Sequence, residues 1–266
     1  MDDYFIYSNC RIHYRLIGQG NCVVLLHGYL ENLNIWDGFV DELSTQFKVL
    51  SFDLPQHGQS SCDSEVSSFE LMAKSVNATL THLNITKAFI VGHSMGGYLA
   101  LAFAELFPKK TAGLCLFHST PNADSTEKRM NRLEEVELVR NGKKILIVEN
   151  GIPLRFAQKY LINNQYQLER AKEIALTIRD SEIIGSLMAM ATRPDRNGVI
   201  EKATFPTMMI FGAMDNHIPL STANTLAIKH KKTRMVILDN SGHMGFIEER
   251  DQAIKAIKSF LAVVFS

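Results

Sequence analysis

The stretch Phe89-Ile90-Val91-Gly92-His93-Ser94-Met95-Gly96-Gly97 constrains this chain more than any other. A short apolar run breaks into a glycine-flanked serine, and the apolar run Tyr98-Leu99-Ala100-Leu101-Ala102-Phe103-Ala104 follows at once. This order predicts a strand, a sharp turn and the start of a helix. Glycines two before and two after Ser94 permit a turn so tight that the serine backbone is strained and its hydroxyl stands clear of the sheet. Ser94 then sits at a helix N-terminus, where unpaired N–H groups favour negative charge and would stabilise an attacking alkoxide. The five letters around Ser94 are a weak signal alone; the strand before and the helix after strengthen it.

The flanking pattern supplies the frame. Residues 4–7 and 11–16 alternate apolar and polar positions around Ser8-Asn9, as an antiparallel hairpin does. Cys22-Val23-Val24-Leu25-Leu26 is continuously apolar, a strand buried on both faces that ends in His27-Gly28-Tyr29-Leu30. Helical spacing over 35–43, a strand over 48–53 and a loop over 54–61 follow. Ser67 or Ser68 caps a helix to about Leu83, with Glu70 as capping-box partner. After the Ser94 stretch comes a strand at 112–117. This β-α-β-α order implies a parallel sheet with helices on both faces and chemistry at the carboxyl ends of the strands.

From His118 to about Phe205 the alternation gives way to helical runs at 126–140, 154–163, 165–178 and 181–191. The run at 143–148 suits strand or helix by pattern and is assigned to helix. Residues 1–118 and 206–266 are therefore expected to form the core domain, and 119–205 a helical insertion over the sheet. Strand 207–211 resumes the alternation and ends at Gly212-Ala213-Met214-Asp215-Asn216-His217-Ile218-Pro219. A helix over 219–227, a last strand over 235–238, the turn Ser241-Gly242-His243-Met244-Gly245 and a closing helix to about Val264 complete the chain.

At 266 residues, one domain with an insertion is the expected size. Acidic and basic residues balance at 28 each, so no field exists to attract nucleic acid or an anionic membrane. The expected partner is a small molecule, uncharged or weakly charged, with the chain a monomer or homodimer. Cys10, Cys22, Cys62 and Cys115 show no metal-ligand spacing, and Cys22 and Cys115 lie in apolar runs that bury them. No apolar segment approaches the ~20 residues of a membrane span, and the opening Met1-Asp2-Asp3-Tyr4 is unlike a signal peptide. A reducing cytoplasm is the expected location.

Strand-turn-helix around Ser94, a His-Gly after a buried strand, and a downstream Asp then His after two later strands together resemble the α/β-hydrolase fold superfamily. The resemblance covers nearly the whole chain. It implies a mostly parallel eight-stranded sheet flanked by helices, with 119–205 as a helical cap. Asp53-Leu54-Pro55-Gln56-His57-Gly58-Gln59-Ser60 is similar to that family's Asp-x-Pro-Gly-x-Gly-x-Ser loop, with Gln56 where glycine is usual.

A serine hydroxyl needs a base, and His243, flanked by Gly242 and Gly245, can reach back to Ser94. Asp215 would fix the histidine tautomer and stabilise the imidazolium; Asp53 is the rival acid and is expected to bond its own loop instead. The resemblance places the oxyanion donors at the N–H of Met95 and of Tyr29, with Leu30 the alternative to Tyr29. His27 and His93 are expected to orient loops and His217 to serve structure. His118, at a strand end, either contacts substrate or supports its loop. Ile183, Ile184, Leu187, Met188 and Met190 form a stripe that packs on the core or roofs a pocket, and His118, Leu30 and Met188 are taken as pocket candidates. The expected function is hydrolysis of a small, mostly apolar carboxylic ester through a Ser-His-Asp triad and an acyl-enzyme, without metal or organic cofactor. C–C bond hydrolysis or a cofactor-free lyase reaction on the same triad is the alternative, and a low-turnover ligand-binding receptor the alternative of another class.

Overall fold

The computed structural model describes residues 2–62 and 68–266. It opens with β1 (Asp2–Tyr7) and β2 (Cys10–Ile17), joined at Ser8 and Asn9. Both turn residues have positive φ, 46° and 65°, the backbone that matches a tight hairpin to the twist of its strands. Then come β3 (Cys22–Leu26), α1 (Asp37–Leu43) after a 3-10 turn at Leu33–Trp36, β4 (Lys48–Phe52), β5 (Ser61–Cys62), α2 (Phe69–His82), β6 (Ala88–His93), α3 (Met95–Leu106) and β7 (Thr111–Phe117). Six helices follow without a strand: α4 (Thr126–Arg140), α5 (Lys144–Gly151), α6 (Gln158–Leu161), α7 (Gln165–Thr177), α8 (Asp180–Thr192) and α9 (Asn197–Glu201). The chain ends with β8 (Thr207–Gly212), α10 (Leu220–Lys229), β9 (Arg234–Leu238), α11 (Gly245–Glu248) and α12 (Arg250–Val264).

Eight strands run in the order β1-β2-β4-β3-β6-β7-β8-β9, and the two-residue β5 adds a ninth beside β2. From β4 to β9 every pairing is parallel; β2 meets β1, β4 and β5 antiparallel. β3, β6, β7 and β8 are buried along their whole length, as their unbroken apolar sequences require of strands covered on both faces. From β3 the chain winds outward through α1 to β4, then crosses back to β6 on the other side of β3. Loops leaving β3 and β6 thus diverge at their carboxyl ends and open a crevice there.

β5 has no counterpart in the sequence-based expectation, and it brings Cys62 opposite Cys10, where the two form a disulfide. Cys22 and Cys115 are buried thiols, and burial pushes the Cys22 thiol up to about 12, which keeps it unreactive. Ser68 caps α2, its Oγ accepting the Leu71 N–H at 3.2 Å; Ser67 lies outside the described residues. Glu70 is then one position too early for a capping box and pairs instead with Arg196. The ambiguous run at 143–148 is helical, within α5. The expected helix over 154–163 is interrupted, because Phe156 and Ala157 are extended and the Ala157 N–H donates to Glu248 Oε1 at 2.7 Å. No helix among the described residues is long and apolar enough to cross a membrane.

Candidate active site

Ser94 follows β6 directly at φ 48°, ψ −114°, a conformation that persists only where its surroundings hold it. The turn closes because two neighbours lack side chains: a Cβ on Gly92 would stand 2.2 Å from the Gly96 oxygen, and one on Gly96 2.3 Å from the Leu26 oxygen. Ser94 N–H donates to Phe117 O at 2.9 Å and Ser119 Oγ donates to Ser94 O at 2.7 Å. The strained residue is thereby pinned through both its peptide groups.

His243, between β9 and α11, puts Nε2 2.9 Å from Ser94 Oγ and Nδ1 2.8 Å from Asp215 Oδ2. With the proton on Nδ1, bound to the carboxylate, the Nε2 lone pair faces the serine hydroxyl. Asp215, after β8, accepts the His217 and Ile218 N–H groups on Oδ1 at 2.7 and 3.0 Å. Burial alone would raise its carboxyl, but the charge of His243 and the hydrogen bonds from His118 and His243 outweigh that and hold it well below the usual carboxylate range. Burial lowers the His243 imidazole, only partly offset by Asp215.

The loop carrying His243 is braced at every residue. Glu248 Oε2 accepts the Gly242 and Met244 N–H groups at 2.9 and 3.1 Å, Arg155 O accepts the His243 N–H at 2.6 Å, and His118 Nε2 accepts the Gly245 N–H at 3.1 Å. His93 Nε2 donates to His243 O at 2.9 Å while its Nδ1 lies 2.9 Å from Glu31 Oε2. Glu31 also takes the Gly28 N–H at 2.6 Å. Burial would raise its carboxyl, yet His93, Arg155 and the Gly28 N–H bring it down to about 2. One buried carboxylate therefore links the loop after β3 to the Ser94 turn and, through His93, to the His243 loop.

His118 is fully buried behind Asp215 rather than in the pocket. Because Nε2 accepts from Gly245, its proton sits on Nδ1, which lies 3.2 Å from Asp215 Oδ2. Among the described residues His118, Asp215 and His243 are the one grouping of metal-ligating side chains with donor atoms within 4.8 Å, and every imidazole nitrogen in it is taken by a hydrogen bond. Asp53 bonds its own surroundings, His13 Nδ1 at 2.7 Å and the N–H groups of Leu33 and Gln59 at 2.8 Å each. His27 holds the Leu54 N–H through Nε2 at 3.1 Å. Gln56, at φ 65°, adopts the left-handed backbone for which the family pattern keeps glycine.

A pocket of about 330 Å³ opens above Ser94 and His243. Leu30, Tyr29, Met190 and Ile147 line it, whereas Met188 packs against the core outside it; the stripe on α8 turns Met190 inward, two positions on. No acceptor among the described residues takes the main-chain N–H of Tyr29, Leu30 or Met95. His217, expected to be structural, lies on the wall with its ring 4.8 Å from that of His243. Lys128, Asn131, Arg132 and Glu135 also line the pocket, and none of the four is a site candidate by sequence pattern. Their i, i+3, i+4, i+7 spacing was available, but a charged stripe is ordinarily a solvated face. A larger cleft of about 750 Å³, lined by Lys87, Thr111 and Lys202, lies at the opposite, amino ends of β6 and β7.

Residues 21–142 match the profile of the alpha/beta hydrolase fold family. The chain is 29% identical over 252 residues to a pimeloyl-[acyl-carrier protein] methyl ester esterase of Methylococcus capsulatus, covering 92% of this chain and 96% of that protein. It is 27% identical over 256 residues to the dihydrolipoyllysine-residue acetyltransferase component of the acetoin cleaving system of Pseudomonas putida, spanning 93% of this chain but 65% of that protein. Among solved structures, a thermophilic esterase from Thermogutta terrifontis with malate bound superposes with a TM-score of 0.94 at 26% identity, over the full length of both chains.

Proposed function

This chain belongs to the α/β-hydrolase superfamily, and from that premise we propose that it is a serine hydrolase of small carboxylic esters. The observation that carries the proposal is the unbroken relay Asp215 Oδ2, His243 and Ser94 Oγ, with links of 2.8 and 2.9 Å, at the floor of a pocket. In the proposed reaction Ser94 Oγ bonds to the ester carbon as His243 Nε2 takes its proton, and Asp215 stabilises the imidazolium. The N–H groups of Met95 and Tyr29 bind the resulting oxyanion, with Leu30 the rival donor; one such donor is worth about 3 kcal/mol of barrier. His243 returns its proton to the departing alcohol, and water, deprotonated by the same imidazole, splits the acyl-enzyme. Residues 119–205 act as the cap over a core of 1–118 and 206–266.

Ser94→Ala should lower kcat on p-nitrophenyl acetate on the order of 10⁶-fold and abolish labelling by a fluorophosphonate, with the circular dichroism of the fold retained. Undiminished labelling of the variant would sink the proposal. A cytoplasmic location belongs to the same proposal, and the Cys10–Cys62 bond counts against it, since disulfides persist in oxidising compartments. Alkylation of thiols in freshly lysed cells decides: two modified residues in this pair support the cytoplasm, and an unmodified cystine rejects it.

A further inference from the structure

The pocket is more highly charged than an apolar ester needs. From α4, Lys128, Asn131, Arg132 and Glu135 face it, and Arg155 joins them from the turn before the break at Phe156. Three cations and one carboxylate therefore look onto 330 Å³, and the counter-ions behind the wall are shared. Asp124 bonds Arg132 Nε at 2.5 Å and also pairs with Arg193 at 2.8 Å. Glu31 lies 3.4 Å from Arg155 Nη1 but also pairs with His93 at 2.9 Å. Glu135, whose carboxyl burial holds above its usual range, accepts the Tyr29 hydroxyl at 2.7 Å and has no cation within 4 Å among the described residues.

The donors left over converge on the same space. Arg132 Nη1, and Arg155 Nε and Nη2, have no acceptor among the described residues. Lys128 Nζ has one, the His217 oxygen at 3.3 Å. Arg155 is 8% exposed, and its unpaired N–H groups, like that of Arg132, are not sealed in the core but stay open to an acceptor that enters the pocket. A planar fork of such donors is matched by a carboxylate.

We propose that the substrate carries a carboxylate remote from the scissile carbonyl, bound by Lys128, Arg132 and Arg155, so that the site takes the half-ester of a short dicarboxylic acid. This rests on the ester-hydrolase function proposed above and names its substrate class. The ester end lies over Ser94, and the free carboxylate fills the cationic wall formed by α4 and Arg155. Hydrolysis then releases an alcohol and a dicarboxylate.

The test pairs monomethyl glutarate with methyl pentanoate, which match in length and differ only in the terminal group. The half-ester should be hydrolysed with a kcat/KM at least tenfold higher at low salt, the advantage lying in KM. Arg132→Gln and Lys128→Gln should each bring the ratio of the two towards one, while Lys109→Gln, in the distant cleft, should leave the ratio as it is. A wild-type ratio at or below one overturns the proposal. Glutarate binding supplies a readout that does not need turnover: glutarate but not pentanoate should raise Tm, and Arg132→Gln should remove that rise. No glutarate-dependent rise would reject the anion site even if neutral esters are cleaved. A rise without Ser94-dependent cleavage of either ester would reject the ester-hydrolase function and leave the anion site standing.

Discussion

Two regions meet at Ser94 and are built on opposite principles. On the core side, the loops after β3, β6, β8 and β9 are cross-tied: Glu31, His93, Glu248 and His118 bond the main chain of the loops that carry Gly28 and His243, and all of these side chains but the half-buried Glu248 are buried. On the helical side, α4 reaches the pocket with long side chains, Lys128 and Asn131 among them, that are exposed and sparsely partnered. The difference separates two tasks. Reacting atoms must be held within a fraction of an ångström, which buried hydrogen-bonded loops achieve. Selecting a substrate needs charge and shape that can change without disturbing that geometry, and a helix face laid over the sheet provides it.

The sharpest way to break this contrast is at its most heavily tied atom. Asp215→Asn keeps the shape of the side chain, but an amide cannot accept from both imidazoles while also offering its own N–H groups. His243 should then settle in the wrong tautomer, with its lone pair turned from Ser94, and kcat should fall about 10⁴-fold with little change in KM. A loss of less than tenfold would mean that the carboxylate is not what orients the base.

His118 sharpens the same point at smaller scale. As a neutral imidazole, lowered to about 4 chiefly by burial, it donates to the oxygen that also binds His243. His118→Phe fills the space and removes that donor, so Asp215 should pull harder on the His243 proton and raise the imidazole. The wild-type kcat/KM should rise with pH to a plateau, its midpoint below the usual histidine value of about 6.5, because burial lowers His243. In the variant the midpoint should move up, with kcat reduced about tenfold, in line with the loss of a group that orients a reacting residue. A lower kcat with an unmoved midpoint would make His118 merely a brace for Gly245.

The same division explains what could be read from residues alone. Strand, turn and helix around Ser94 are local: the apolar run, the glycines and the helical spacing all lie within twenty residues. So do the strands that end at Asp215 and His243, and their order along the chain narrows the topology. What escaped depends on where distant segments come to rest. His118 ends a strand at the site, as expected, yet its ring points behind Asp215 because its backbone turns to φ 47°. The break at Phe156 and Ala157 interrupts a good helical run because Glu248, some ninety residues on, takes the Ala157 N–H. The charged stripe of α4 has the pattern of a solvated face, and only its position over the crevice makes it a pocket wall. Cys10 and Cys62 carry no spacing signal, and pair only because β5 folds onto β2.

A last test, of about the same size and confined to one helix, asks whether the helical side is as selective, residue by residue, as its placement implies. Met188 and Met190 are neighbours on α8 with the same chemistry, yet Met190 lines the pocket and Met188 packs against the core beside it. Shortening Met190 adds room beside the substrate, and a methylene or two of fit is worth about 10-fold or more in kcat/KM. Met190→Ala should therefore shift the preference between short and longer acyl chains by about that factor, measured as the ratio of kcat/KM for p-nitrophenyl hexanoate and acetate. Met188→Ala should lower Tm, through the void it leaves in a packed layer, and move that ratio less than about twofold. Equal shifts from the two would show that the cap rearranges as a body, and that selectivity is spread through α8 instead of resting on the side chains that face Ser94.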